Sequence, residues 1–204
     1  MRILIVRSAC DIFLCVQING VNINRASVVK YVGLYIDFNL KWNEQIQKIV
    51  KKVRYFSFVA YKLKYLPIKV LEIIYYAYVY SLLNYGLIAW GWAYSTHLEP
   101  LNNLQLKFIK ILKSDKIPTI KQLYITRCVM FHYDSLQSSY CNSDSITRNK
   151  QLSLPSCKKT LTKKKSIYTA TKYFNFLQNR LKDLAENKKT KKETIQSFIM
   201  QKFK

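Results

Sequence analysis

The chain has 204 residues, half of them hydrophobic, so it can form one packed domain with a tail or two small domains. Its 34 Lys and Arg outnumber its 11 Asp and Glu, and the resulting charge of +23 predicts attraction to nucleic acid or to an anionic membrane surface. Basic residues concentrate toward the C-terminus: residues 143–204 carry 16 basic and 4 acidic side chains, against 5 and 2 in residues 1–42.

Strand patterns occupy residues 1–42. Residues 13–18 and 21–23 flank Asn19-Gly20, a dipeptide that tolerates the positive φ angles of a tight hairpin. A β-branched and aromatic run at 28–36 predicts a third strand, with a bulge or a close backbone approach at Gly33. The pattern as a whole predicts a short antiparallel β-meander.

Helical periodicity begins at Asn43, which suits an N-cap, and it continues to about residue 66. Pro67 suits the first turn of a second helix that ends near Gly86. Pro100 is expected to open a third helix, and residues 120–136 predict a fourth. The predicted fold is therefore α+β and mainly α, with a helical domain at 43–137 after the β segment.

One face of the first predicted helix is basic, because it carries Lys48, Lys51 and Lys62 together with Tyr55. A solvated face is the ordinary explanation of such a pattern. The tyrosine among the lysines and the overall charge favour contact with nucleic acid instead.

A basic extension is predicted at residues 138–204. Ser, Thr, Asn and Lys dominate up to residue 166, a further helix is expected at 168–185, and only partial order is expected in the last twenty residues. Most lysine runs are solvated linkers, although such a run also suits phosphate binding or nuclear import. The candidate lysines of this run are Lys158, Lys159, Lys163, Lys164 and Lys165.

Residues 73–95 contain no charged side chain and are long enough to span a bilayer. Six tyrosines are spread through the segment, whereas interfacial tyrosines would collect at its ends. A buried helix, without a membrane, is therefore the favoured interpretation. A protein anchored in the membrane by this segment is the alternative.

The five cysteines are odd in number and irregularly spaced, and the apolar run after Met1 is too short for a secretory signal. We therefore expect free thiols in an intracellular protein, either nuclear or cytoplasmic. Cys128, His132, Cys141 and Cys157 have the ligand types of a zinc site, but their spacing matches no compact zinc module, and no metal is predicted.

Two groups of residues resemble non-LTR retrotransposon reverse transcriptases, most of all the jockey-type insect elements. The first comprises KYVGLYID at 30–37 and LKWNEQI at 40–46, which resemble the family's KYLG strand and LxW turn, although Val32 stands where leucine is usual. The second comprises IYYAYVYS at 74–81, LNYG at 83–86 and Trp90, which look like the helix that follows in the family. The similarity spans residues 17–112.

The resemblance implies a role for each part. The strand with Lys30, Tyr31, Gly33 and Leu34 would belong to the primer grip, which holds the 3′ end of the growing strand. The helices after it would form the thumb, which packs against the template–primer duplex. The implied partner is RNA or an RNA–DNA duplex, contacted by shape and phosphate without sequence readout.

The paired aspartates of the family's palm do not occur in this sequence, where all six aspartates stand singly. Two-metal phosphoryl transfer needs carboxylates that hold two cations about 4 Å apart. We therefore expect a palm-less fragment of an RNA-directed DNA polymerase that binds template–primer but catalyses nothing by itself. It would need no cofactor, since Mg²⁺ would belong to the palm. An inert transposon relic is the other alternative, and the oligomeric state stays open.

Overall fold

The computed structural model describes residues 3–6, 15–18, 21–23, 26–112, 117–141, 151–156, 163, 165–181 and 188–202. Within these ranges most residues are helical, and the strands precede the helices in the chain. The predicted class, α+β and mainly α, is confirmed. The strands form two small antiparallel sheets, where a single meander was predicted.

The first sheet has three strands in the order β1 (Ile3–Val6), β2 (Cys15–Ile18) and β3 (Val21–Ile23). Both pairings are antiparallel, so the strands predicted at 13–18 and 21–23 are confirmed as a pair. The sequence did not predict β1. The Asn19-Gly20 turn lies outside the described residues.

The second sheet is a hairpin of β4 (Val28–Tyr31) and β5 (Leu34–Asp37). The prediction of one strand over 28–36 is wrong, because Val32 at φ 45° and Gly33 at φ 77° form a two-residue turn. Turns with positive φ at both central residues match the twist of antiparallel strands. Gly33 therefore marks a reversal of the chain and not a bulge.

Helix α1 (Asn43–Lys62) begins against the end of β5. The carboxylate Oδ2 of Asp37 accepts the N–H of Asn43 at 2.8 Å, so Asp37 supplies the cap that was predicted for the Asn43 side chain. One turn later, Oε1 of the buried Gln45 accepts the N–H of Tyr35 at 3.0 Å. The two bonds fix the hairpin against the start of the helix.

A second helical run begins after Pro67, as predicted, and ends before Gly86, whose φ is 60°. It consists of α2 (Ile68–Ile74), a π-helical segment (Tyr75–Tyr80) and α3 (Ser81–Asn84), and the short α4 (Leu87–Trp90) follows. Wider π turns inside helices are often found at functional sites.

Helix α5 (Ser95–Leu112) begins before Pro100, which therefore lies inside it, and the prediction that Pro100 opens this helix is wrong. The carbonyl of Tyr94 starts the helix by accepting the N–H groups of His97 and Leu98 at 3.0 and 3.2 Å. The predicted apolar side is confirmed at Leu101, Phe108 and Leu112, which are buried.

The remaining helices are α6 (Ile120–Cys141), α7 (Ser166–Leu181) and α8 (Lys188–Lys202). Helix α6 packs against both α7 and α8. Ile195 and Ile199 of α8 are fully buried, so this Lys-rich segment forms a packed helix where only partial order was predicted.

The main core lies between α1, the π-helical segment and α5. Tyr75, Trp90 and Phe108 are completely buried there, and the rings of Tyr75 and Phe108 lie 5.6 Å apart. The uncharged stretch at 73–95 is thus divided among several short elements that contribute to this core. Among the residues that the structure describes, no helix is both long and apolar enough to cross a bilayer.

A buried amide joins three elements beneath this core. Nε2 of Gln105 donates to the Tyr75 hydroxyl at 3.1 Å and to the Pro118 carbonyl at 2.8 Å, while its Oε1 accepts the Ile120 N–H at 2.9 Å. Both ends of the amide are satisfied, as a buried polar side chain requires. Gln105 therefore ties α5 to the π-helical segment and to the start of α6.

Candidate nucleic-acid interface

A groove runs between α1 and the helical run at 68–84, from the hairpin turn to the middle of α1. Two cavities, of about 370 and about 550 Å³, make it up. Lys52, Ser81 and Leu82 line both, so the two cavities are continuous, and we call the whole the basic groove. No acidic side chain is among the described residues that line it.

The hairpin end of the basic groove holds two lysines around one aromatic ring. Nζ of Lys48 lies 3.0 Å from the ring centroid of Tyr35, and Nζ of Lys30 lies 5.8 Å from the same centroid. Lys30 and Tyr35 are cross-strand partners in the hairpin. Cation–π attraction therefore holds both ammonium groups beside the groove, where they remain available to an anion.

The middle of the groove is lined by Lys51, Lys52 and a row of aromatic rings. The rings of Phe56 and Tyr78 stack at 4.8 Å, and Tyr55 meets Phe56 edge-on at 5.5 Å. Tyr55 and Tyr78 are each more than half exposed. Lysines can neutralise phosphates, and exposed rings can contact sugars or bases.

The turn of the hairpin rests on the corner that follows α3. The hydroxyl of Tyr85 donates to the carbonyl of Val32, and a Cβ on Gly33 would lie 3.4 Å from that hydroxyl. On the other side, a Cβ on Gly86 would lie only 2.8 Å from Cδ1 of Leu34. Both glycines are therefore needed for this close approach.

Four of the residues predicted to bind nucleic acid line the basic groove: Gly33, Lys48, Lys51 and Tyr55. Lys30 reaches its end through Tyr35.

Three predicted residues have other positions. Tyr31 is exposed and Leu34 packs on Gly86, and neither lines the groove. Lys62 stands in the last turn of α1 with its Nζ 5.5 Å from the ring of Phe58, also away from the groove.

The sequence did not single out Lys52, Tyr35, Tyr78 or Tyr85. Lys52 lies four residues after Lys48, and this spacing alone would have placed both on one helix face. The tyrosines gave no such signal, because their place depends on how the hairpin and the π-helical segment pack against α1.

The lysine run of the extension does not contribute to the basic groove within the described part of the chain. Lys163 is exposed and lines a different cavity, between α6 and α7. Lys165 is exposed just before α7, and its carbonyl accepts the Thr169 N–H at 3.0 Å. Lys158, Lys159 and Lys164 lie outside the described residues.

The zinc alternative finds no support in the described ranges, where no three His, Cys, Asp or Glu side chains come together. Cys128 is completely buried, and burial raises the pKa of its thiol to about 12, which disfavours the thiolate that binds zinc. His132 lies 3.2 Å from the hydroxyl of Ser166, and burial lowers its pKa. The side chains of Cys141 and Cys157 are outside the described residues.

The basic groove can therefore attract and hold a polyanion, and nothing in its described lining supplies a nucleophile or a general base of shifted pKa. The chain matches no protein-family model, and it has no significant match among curated proteins or solved structures.

Proposed function

We propose that the chain binds an RNA or RNA–DNA duplex through the basic groove, as the primer-grip and thumb region of a non-LTR retrotransposon reverse transcriptase. One observation carries the proposal. The two segments that resemble such enzymes, 30–37 and 83–86, lie against each other through Val32 and Tyr85, and they meet at the end of a groove lined by lysines and tyrosines.

Phosphate contact is the mode of binding that this lining favours. Lys48, Lys51 and Lys52 lie within two helical turns, so their ammonium groups can meet consecutive phosphates along one strand. Lysine acts as a point charge and does not distinguish bases when it contacts phosphate. Affinity should therefore be nearly independent of sequence and should fall steeply with salt.

Binding without chemistry is the second part of the proposal. The groove brings no pair of carboxylates together, and the sequence has no adjacent aspartates with which to hold two Mg²⁺ ions. On a primed RNA template with Mg²⁺ or Mn²⁺, the purified chain should incorporate no nucleotides. Template-dependent incorporation would contradict this part of the proposal.

The decisive experiment compares two variants with the same loss of charge. The groove variant carries Lys48→Gln, Lys51→Gln and Lys52→Gln. The control carries Lys62→Gln, Lys64→Gln and Lys69→Gln, three exposed lysines that do not line the groove. Affinity for a hybrid duplex is measured across a salt series. If all three groove lysines touch phosphate, the log–log slope becomes shallower by about 2 to 3 units in the groove variant alone.

Equal loss in the two variants would mean that charge at large, and not the groove, attracts the duplex. A third variant, with Gln at Lys158, Lys159, Lys163, Lys164 and Lys165, tests whether the extension alone provides the attraction. Loss of binding in that variant only would overturn the proposal for the groove.

A further inference from the structure

A second cavity, of about 490 Å³, opens where residues 91–95 meet α5, α6 and α7. We call it the α6–α7 pocket. It shares no described lining residue with the basic groove, so the two sites can be tested separately. Its volume lies in the range of about 300–1,000 Å³ that is usual for small-molecule sites.

The walls of the α6–α7 pocket are largely aromatic. Trp92, Tyr124, Tyr168 and Tyr173 line it, and the ring of Tyr124 lies so close to Gly91 that an added Cβ would be 2.5 Å from its Cδ2. Burial raises the pKa values of Tyr124 and Tyr173, as expected in apolar surroundings. Flat, apolar walls of this kind suit a planar ring.

Polar groups are interspersed among these rings. Ser95, Asn102 and Thr169 line the pocket and offer two hydroxyls and an amide, which can both donate and accept hydrogen bonds. A purely aliphatic ligand would leave such groups without partners, at a cost in binding free energy. The lining therefore favours a ring that carries its own hydrogen-bonding edge.

The rim carries positive charge that nothing in the described lining balances. Lys121, Lys163 and Lys172 are exposed and line the pocket, and no acidic side chain is among the described lining residues. Nζ of Lys172 also lies 5.9 Å from the ring centroid of Tyr173, which places a cation beside an aromatic wall. A ligand with an anionic group at one end would match this rim.

We infer that the α6–α7 pocket binds a nucleoside phosphate, with the base between the aromatic walls and the phosphate at the lysine rim. An unpaired nucleotide at the end of a strand and a free mononucleotide have the same chemistry, so either could occupy the site. The inference goes beyond duplex binding, because it requires an unpaired base and residues that the basic groove does not use.

The test uses the full chain and two probes. AMP and UMP are titrated by calorimetry, and 4-thiouridine monophosphate is photocrosslinked and mapped by mass spectrometry. Saturable binding with Kd below about 1 mM is expected, which corresponds to a free energy of about −4 kcal/mol or more favourable. Crosslinks should fall on peptides containing Trp92, Tyr124, Tyr168 or Tyr173.

A variant with Lys163→Gln and Lys172→Gln should bind AMP about tenfold or more weakly, since charge-assisted hydrogen bonds to phosphate are lost. The groove variant with Lys48→Gln, Lys51→Gln and Lys52→Gln is the matched control and should bind AMP as the parent chain does. Circular dichroism and thermal melting show whether both variants fold.

The source of the nucleotide is decided by duplexes with and without one unpaired terminal nucleotide. Tighter binding of the overhang duplex, lost in the Lys163→Gln, Lys172→Gln variant, identifies a strand end as the ligand. Saturable AMP binding without such a gain identifies a free nucleotide. Three results would overturn the inference: no binding of either probe up to about 5 mM, crosslinks outside the pocket, or decanoate that displaces AMP and binds more tightly.

Discussion

The hydroxyl of Tyr85 donates a hydrogen bond to the main-chain carbonyl of Val32, 53 residues earlier in the chain. Val32 has a φ of 45°, and a β-branched residue in this left-handed region is strained by about 1–2 kcal/mol. A contact distant in sequence thus stabilises a turn that its own residue disfavours. The same contact closes the hairpin end of the basic groove, to which Gly33 and Tyr85 both contribute.

Replacing Tyr85 by Phe removes this hydrogen bond and keeps the ring. Because Tyr85 is about half exposed, the expected loss is at the lower end of the usual range, about 0.5–1 kcal/mol in the free energy of unfolding. Urea denaturation measures it. Tyr65→Phe is the control, since Tyr65 is 85% exposed and should tolerate the change without loss. Equal effects at the two positions would mean that the Val32 contact contributes nothing.

Gly86→Ala should destabilise the chain for two separable reasons. Alanine at φ 60° costs about 1–2 kcal/mol in backbone strain, and its Cβ would also lie 2.8 Å from Cδ1 of Leu34. In a Leu34→Ala background only the strain remains. The double-mutant cycle should therefore give a positive coupling of about 1 kcal/mol or more for the steric part. A coupling of zero would contradict the packing of the hairpin on this corner.

The sequence predicted the helical elements better than it predicted the hairpin, for a physical reason. Apolar spacing places Leu101 and Phe108 on one helix face whatever surrounds them. The turn at Val32 has no such local signal, because valine favours strands and the stabilising partner is Tyr85. Only Gly33 marked the position, and one glycine in a strand-like run indicates a bulge as readily as a turn.

The start of α1 illustrates the same limit. Asn43 has the residue type of an N-cap, but the oxygen that meets its own N–H belongs to Asp37, at the end of β5. In the candidate site, Lys48, Lys51 and Tyr55 followed from helical spacing alone. Lys62 has the right spacing too, yet α1 ends there, beyond the groove.

Cys128 should resist alkylation in the folded chain. It is completely buried, and with its pKa raised to about 12 only about one molecule in ten thousand carries the thiolate at pH 8. Iodoacetamide at pH 8 should label this residue only after unfolding in urea, as followed by peptide mass spectrometry. Added Zn²⁺ should leave the labelling unchanged. Labelling at the rate of a free thiol in the native chain would contradict the packing of α6.

Tyr75 should make stability fall at high pH. Burial raises the pKa of Tyr75 from 10.0 to about 12, against the opposing effect of its hydrogen bond from Gln105. Above pH 10 the unfolded chain loses this proton while the folded chain keeps it, so the unfolded state binds fewer protons and stability declines as pH rises.

The contribution of Tyr75 is complete below pH 10 and is lost between pH 10 and about pH 12, at up to about 2–3 kcal/mol. Urea unfolding at pH 8, 10 and 11.5 is compared between the parent chain and Tyr75→Phe. The variant should be less stable at pH 8 by about 0.5–1.5 kcal/mol, since Gln105 loses one partner. The difference should shrink or reverse by pH 11.5, because phenylalanine does not ionise and the parent chain alone is penalised. Parallel declines would show that Tyr75 ionises equally in both states, and that the contact beneath the core does not exclude water.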